Sequence, residues 1–257
     1  MRSMSALTTI PPEWLRLREG ADAVARSTEL VDLLRPVLTG DLLIRDLGCG
    51  TGSMGRWLTG RLPQPQRWIL HDRDPHLLAL AMTDNAVAEL RDITSLRASE
   101  LVGTSLVTAS ALLDLLTEDE VDALAKACVK AGCPALFALS VTGHVEFATP
   151  DPLDSEFEAA FNAHQRRVVD GRRLLGPGAV DAVVRSFADF DVHLRPSSWH
   201  LGEENEALAA EWLRGWVSAA CEFEPNLPGQ SYLERRLTDP RVEVRHTDLL
   251  AIPKVVR

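Results

Sequence analysis

Several things are missing from this chain, and each absence narrows what it can be. No apolar run approaches the roughly 20 residues needed to cross a bilayer, and residues 1–12 lack the basic flank and apolar stretch of a secretory signal. The expectation is a cytoplasmic chain with no membrane partner. Cysteine is scarce: Cys49, Cys128, Cys133 and Cys221 show neither paired C-x-x-C spacing nor the density of a disulfide-stapled domain, so they read as reduced thiols. Lysine occurs only as Lys126, Lys130 and Lys254 while arginine is abundant, a bias that reflects genome composition more than chemistry. Positive charge is also in deficit overall. A net charge of −10 makes long-range attraction to nucleic acid unfavourable and counts against an RNA or DNA substrate. Internal repeats, low-complexity tracts and flexible linkers are absent. What remains is an ordinary composition, 46% hydrophobic and 25% charged, over 257 residues, which is long enough for one large domain with a proper core.

The stretch Leu42-Leu43-Ile44-Arg45-Asp46-Leu47-Gly48-Cys49-Gly50-Thr51-Gly52 carries the strongest signal. Its apolar run with β-branched Ile44 suits a strand buried on both faces of a parallel sheet. Glycines at alternate positions then let the backbone turn sharply and approach a ligand, and Ser53 or Thr51 is placed to cap a following helix. Two ligand classes compete for this turn. Gly50, Gly52 and Gly55 satisfy the dinucleotide pattern, with Asp72 at a suitable distance for a ribose hydroxyl. A nucleotide pyrophosphate, however, wants a helix N-terminus with little negative charge nearby, and Asp46 stands immediately before the glycines. A carboxylate there suits a cation.

The order D-x-G-x-G-x-G from Asp46 to Gly52, with an acid (Asp72) closing the next strand, resembles the class I S-adenosylmethionine-dependent methyltransferases. Their ligand carries an ammonium and a sulfonium and no phosphate. By motif the resemblance covers residues 45–114, and by topology roughly 40–257. It implies a Rossmann-like α/β three-layer sandwich: a mostly parallel seven-stranded sheet ending in an antiparallel hairpin, plus an N-terminal helical segment and a helical lid after the fifth strand. The implied organisation is one methyltransferase domain over 1–257, with an N-terminal helical segment at 1–40, a cofactor-binding core at 41–141, a substrate lid at 142–175 and the rest of the sheet at 176–257.

Residue by residue, the resemblance assigns Asp46, Gly48, Cys49, Gly50 and Gly52 to the methionine end of S-adenosyl-L-methionine, and Asp72 with neighbouring Arg73 to its ribose. Cys49 is given no catalytic role. Asp92 and Ile93, after a third strand read over 87–93, fall where the family holds adenine, although a turn accounts for Asp92 equally well. Ser110 and Ala111, after the fourth strand, fall beside the methionine moiety, with Asp114 toward the substrate. The leading segment Trp14 to Leu38 is broadly helical in its periodicity. In this family such a segment closes over the cofactor, so Arg18, Arg26 and Ser27 are placed toward its carboxylate, or lie on a solvated face. Asp74 reads as a helix cap, and Thr117 followed by Glu118, Asp119 and Glu120 as a helix start.

Methyl transfer from a sulfonium needs alignment and a dry pocket, plus a base where the acceptor carries a proton. His164, in Asn162-Ala163-His164-Gln165-Arg166-Arg167, is the leading candidate base and His144 the second, because histidine titrates near neutrality; a structural histidine is the competing reading of each. Arg166, Arg167, Arg172 and Arg173 form a basic cluster interrupted by Asp170, either a solvated face or a fork for an anionic substrate. Trp199, with Trp212 and Trp216, is a candidate for an aromatic substrate wall, while the four-residue spacing of the last two reads first as a buried helical stripe. Glu146 and Asp151 are too scattered for a divalent site, so no metal is expected. The Asn/Asp-Pro-Pro-aromatic tetrapeptide of base-nitrogen methyltransferases is missing after the fourth strand, as is a nucleophilic cysteine. The expectation is methyl transfer to O or N of a small, anionic acceptor. An RNA-modifying enzyme, a non-catalytic cofactor-binding partner and a nicotinamide enzyme remain as alternatives.

Overall fold

The computed structural model describes residues 10–254. The N-terminal helical stretch is two helices rather than one: α1 (Pro12–Ala25) and α2 (Thr28–Leu34) are separated by extended backbone at Arg26 and Ser27, where the Ser27 side chain caps α2. A β/α alternation follows: β1 (Leu42–Leu47), α3 (Ser53–Thr59), β2 (Gln66–Asp72), α4 (Pro75–Ala81), β3 (Ala86–Leu90), β4 (Leu106–Ser110), α5 (Glu118–Ala131) and β5 (Ala135–Phe147). Then come α6 (Asp154–Gln165), the short hairpin β6 (Val168–Val169) and β7 (Arg172–Arg173), α7 (Ala179–Ser186), β8 (Phe190–Pro196), β9 (Trp199–Leu201), α8 (Glu206–Phe223), α9 (Gly229–Thr238) and β10 (Val242–Pro253).

Seven strands lie in the order β3-β2-β1-β4-β5-β10-β8, and β9 adds an eighth beside β10. The first five are parallel, while β10 runs antiparallel to both β5 and β8. Side-chain alternation divides the core between the two faces. Leu42, Ile44, Leu136, Ala138 and Leu250 pack against α2, α3 and α4, whereas Val107, Ala109, Ala135, Phe137, Leu249 and Ala251 pack against α5 and α7. Strand order reverses between β1 and β4, which leaves a crevice outside their carboxyl ends, the place where open α/β sheets bind ligands.

The segment expected as a lid from residue 142 begins differently. Strand β5 runs on to Phe147, pairing Val145 with Val244 and Phe147 with Val242, so residues 142–147 belong to a long β5–β10 ribbon that extends the sheet. Helices α6, α8 and α9 wrap that ribbon and form a third apolar core around Phe157, Trp216 and Tyr232. Phe157 and Tyr232 stack at 3.9 Å with an 8° interplanar angle. The Tyr232 hydroxyl donates to Asp154 at 2.5 Å, and Arg236, also bonded to Asp154, donates to the Thr149 carbonyl at 2.7 Å. Helix α9 had no distinct sequence signal; this buried phenol and guanidinium hold it in place.

Trp216 is buried at the centre of this third core, yet its indole N–H meets no acceptor among the described residues. Trp216→Ala is expected to cost about 3–5 kcal/mol through cavity formation. Trp216→Phe should cost much less, because it discards an unpaired donor along with some apolar area. Urea denaturation of both variants checks this, and equal losses would contradict it.

Candidate cofactor site

At the end of β1 the chain turns through Gly48, Gly50 and Gly52, all at positive φ. All three positions disfavour a side chain, and a Cβ at Gly48 would meet Leu112 at 2.8 Å. Gly52, at φ +83°, would bring a Cβ to 3.2 Å from the Ala81 backbone, and Gly50, at φ +55°, would bring one to 3.1 Å from Leu15 of α1. Gly52 itself is the N-cap of α3 and no side chain caps that helix, so neither Thr51 nor Ser53 does so. The turn is tied to β2 by Cys49 N donating to the His71 carbonyl (2.9 Å) and Gly50 N donating to Asp72 Oδ2 (2.9 Å). The other Asp72 oxygen accepts from Asp74 N at 2.9 Å, and Asp74 caps α4 as its sequence indicated. Asp72 is thus fixed at a strand end with one backbone donor on each oxygen, leaving further acceptor capacity on both.

These groups surround a cavity of about 570 Å³ in the crevice. Asp46, Gly48, Cys49, Gly50, Asp72, Arg73, Asp92, Ile93, Ser110, Ala111 and Arg18 all line it. Gly52 does not; it serves the packing of α3 on α4. Sequence reasoning missed Asp22, Arg91, Leu112 and Leu115 in the lining. For Asp22 a signal existed: it stands four residues after Arg18 on α1, and the two pair at 3.0 Å.

Asp46 is the unusual member. It is 1% exposed, accepts from the Thr108 hydroxyl at 2.8 Å through Oδ1, and its Oδ2 has no partner among the described residues. Burial pushes its carboxyl up to about 7, against the opposing pull of the Thr108 hydrogen bond and the Arg26 charge. Arg26 is buried behind the lining, not toward a ligand. Its Nη2 donates to Ser53 Oγ (3.0 Å) and Ser110 Oγ (3.1 Å), and it stands 3.9 Å from Asp22. Helix α1 is clamped across the turn: Arg56 forks onto Glu19 with both bonds at 2.7 Å and donates to the Thr51 carbonyl at 2.5 Å. Burial drives the Cys49 thiol up, so it is no thiolate.

The substrate-side candidates lie outside this lining. His144 is 69% exposed on the β5 ribbon, 3.7 Å from Glu158. His164 sits between α6 and α8, with Nε2 3.2 Å from Glu222 and Nδ1 3.3 Å from Arg167, and its burial holds it below the usual imidazole range. Arg166 ends α6, and Arg167 bonds back to the His164 carbonyl at 3.1 Å. Asp114 follows β4 without lining the cavity, and burial raises its carboxyl. Trp199 supports the wall from behind: its indole donates to Asp22 Oδ1 at 3.1 Å, and Arg18 lies 4.7 Å over its ring. The basic cluster is no single face, because Arg166 and Arg167 close α6 whereas Arg172 and Arg173 form β7; of the four, only Arg172 lines the cavity.

No family model and no curated protein matches the chain. Among solved structures it is similar to the apo form of mycolic acid cyclopropane synthase CmaA1, at 12% identity and TM-score 0.50, covering 94% of this chain and 100% of that one. It is also similar to an S-adenosylmethionine-dependent methyltransferase from Geobacter sulfurreducens in complex with S-adenosyl-L-homocysteine (13% identity, TM-score 0.47, covering 95% and 99%). TehB from Haemophilus influenzae gives 14% identity and TM-score 0.48, covering 89% and 62%. The chain therefore has the class I, Rossmann-like methyltransferase fold. No helix among the described residues is long and apolar enough to cross a membrane.

The raised carboxyl of Asp46 links folding to pH. The folded chain keeps a proton up to about pH 7 that the unfolded chain releases near its ordinary value of 3.8, so this group's contribution to stability falls as pH rises between the two. Asp46→Asn removes that dependence. Relative to the parent, the variant should gain stability from about pH 4 to pH 7 and level off above that, and parallel urea-denaturation profiles for the two proteins would exclude it.

Proposed function

We propose that this chain is an S-adenosyl-L-methionine-dependent methyltransferase acting on O or N of a small acceptor. The observation that carries the reading is the unpaired Oδ2 of buried Asp46, in the wall of the same cavity as Asp72. An orphaned carboxylate oxygen at a glycine turn is costly unless a cation completes it, and it repels the pyrophosphate of a dinucleotide. The methyl donor offers an ammonium for Asp46 and two ribose hydroxyls for Asp72. Asp92 and Ile93 are the adenine side, Ser110, Ala111 and the glycine turn the methionine side, and Arg18 the partner for the donor's carboxylate.

Bound there, the cofactor supplies an already activated methyl group. The chain's own residues then bind, orient and exclude water. Helix α1, held by Glu19 and Arg56, covers the turn; Leu15, Leu112 and Leu115 supply apolar wall, and the ties of Asp72 to Gly50 and Asp74 hold its carboxylate oriented. His164, His144 and Asp114 all lie off the lining, so alignment and exclusion of water, not a proton acceptor among these three, are what the wall itself contributes. Arginine in the lining favours an anionic acceptor, and the net charge of −10 favours a small molecule over RNA. Four free cysteines among the described residues fit a reducing, cytoplasmic setting.

Calorimetric titration with S-adenosylhomocysteine, using NAD as the control, tests the reading. Binding of the first and none of the second is expected; the reverse would overturn it. Asp72→Ala should weaken the affinity on the order of 10- to 100-fold, the loss expected for charged hydrogen bonds. Affinity in the parent should also rise from pH 6 to pH 8 as Asp46 ionises to meet the ammonium, and that rise should vanish in Asp46→Asn.

A further inference from the structure

Arg172 stands apart from the other arginines of the cavity because it comes from the β6–β7 hairpin, whereas Arg18 comes from α1 and Arg73 and Arg91 from the βα core. Its guanidinium is held on two sides. Nε donates to Glu120 Oε1 at 2.8 Å, while Nη2 donates to Glu120 Oε2 at 2.6 Å and to the Leu115 carbonyl at 3.1 Å. Glu120 is itself fixed, since Oε2 accepts from Thr117 N at 2.9 Å in the capping box of α5. A planar fork restrained by three bonds has lost its rotamer freedom before any ligand arrives. Among the described residues Nη1 donates to no acceptor. Across the same cavity, Asp92 accepts side-chain hydrogen bonds from Thr94 N (3.0 Å) and Thr94 Oγ1 (2.8 Å), both on Oδ1, and among the described residues none reaches Oδ2. The charges of Arg172 and Asp92 act on one another through the cavity.

A prearranged donor and a prearranged acceptor in the wall of one cavity suit one purine edge in particular. Adenine presents an exocyclic amino donor next to ring-nitrogen acceptors, whereas hypoxanthine presents a carbonyl acceptor next to an N–H donor. We infer that Arg172 is a base-recognition residue, its Nη1 donating to an adenine ring nitrogen while Asp92 Oδ2 accepts from the amino group. The inference rests on the methyl donor proposed above and adds to it a selective contact from the hairpin. Glu120 is a positioning residue in this scheme, because it touches Arg172 and not the ligand.

The test is calorimetric titration of the full chain, parent and Arg172→Met, with S-adenosylhomocysteine and S-inosylhomocysteine. The parent should prefer the adenosyl compound, and Arg172→Met should lose on the order of 10-fold in affinity for it while losing little for the inosyl compound, so the preference collapses. Unchanged adenosyl affinity in the variant overturns the inference. So does an equal loss for both ligands, which is what a purely structural buttress would give. Arg172→Gln, which keeps an amide donor toward Leu115, is read by the same ratio if Arg172→Met melts early. A parent that binds neither compound overturns the methyl donor itself, a result distinct from failure of the Arg172 assignment.

Discussion

The site is held together by one buried guanidinium. Arg26 sits at the break between α1 and α2, and its side chain is fully enclosed. It bonds to Ser53 at the start of α3 and Ser110 at the end of β4, approaches Asp22 of α1, and acts electrostatically on Asp46 of β1 and Asp248 of β10. Five separate elements thus converge on a single cation. Asp248 extends the arrangement, accepting from Ser27 N at 2.8 Å and Leu139 N at 2.7 Å, so the break between the two helices is pinned to the middle of the sheet. Asp22 is also paired with Arg18 at 3.0 Å, whereas Asp46 Oδ2, in the cavity wall, has no partner among the described residues. A ligand cation completes the set.

That placement explains why α1 is part of the site and not an appendage. The helix brings Leu15, Arg18 and Asp22 to the cavity, and its bonds run to the turn (Glu19 with Arg56) and to β9 (Asp22 with Trp199). Few of these contacts are apolar burial of the kind that holds α5 or α8. They are charged groups at the edge of the cavity, so the order of α1 and the presence of ligand are coupled: whatever binds the folded site stabilises the fold by mass action, and much of that gain falls on this helix.

The glycine turn and the crevice around it were legible because they are built from a contiguous, strongly constrained stretch. From Asp46 to Gly52 each residue answers a local requirement, whether a strand end, a positive φ or a close approach, and Asp72 and Asp74 are set by the strand and helix that follow. Short apolar runs located β1, β2, β4 and the start of β5 to within a few residues. The reading faltered where tertiary contacts, not local pattern, decide. Thr142 to Phe147 carries polar residues and a glycine yet continues β5, because β10 supplies the ladder. Gly52 has the motif's spacing but serves the packing of α3 on α4. His164, Arg166 and Arg167 looked like a site because they are close in sequence; His164 packs against Glu222 of α8, and none of the three lines the cavity. Arg172, five residues further on, is carried back to the cavity by a two-residue hairpin that periodicity cannot signal.

The same physics sets a limit on how stable the ligand-free chain can be. Asp46 is kept where burial penalises its charge, although an asparagine of the same size would satisfy Thr108 without that penalty. A residue that costs stability and is not needed for the fold points to function, since pre-organised sites hold groups the fold alone would exclude. Here the cost is also directional. It grows as Asp46 ionises near neutral pH, which is when its attraction for a ligand ammonium is strongest, so the destabilisation of the empty site and the affinity of the filled one arise from a single carboxylate oxygen.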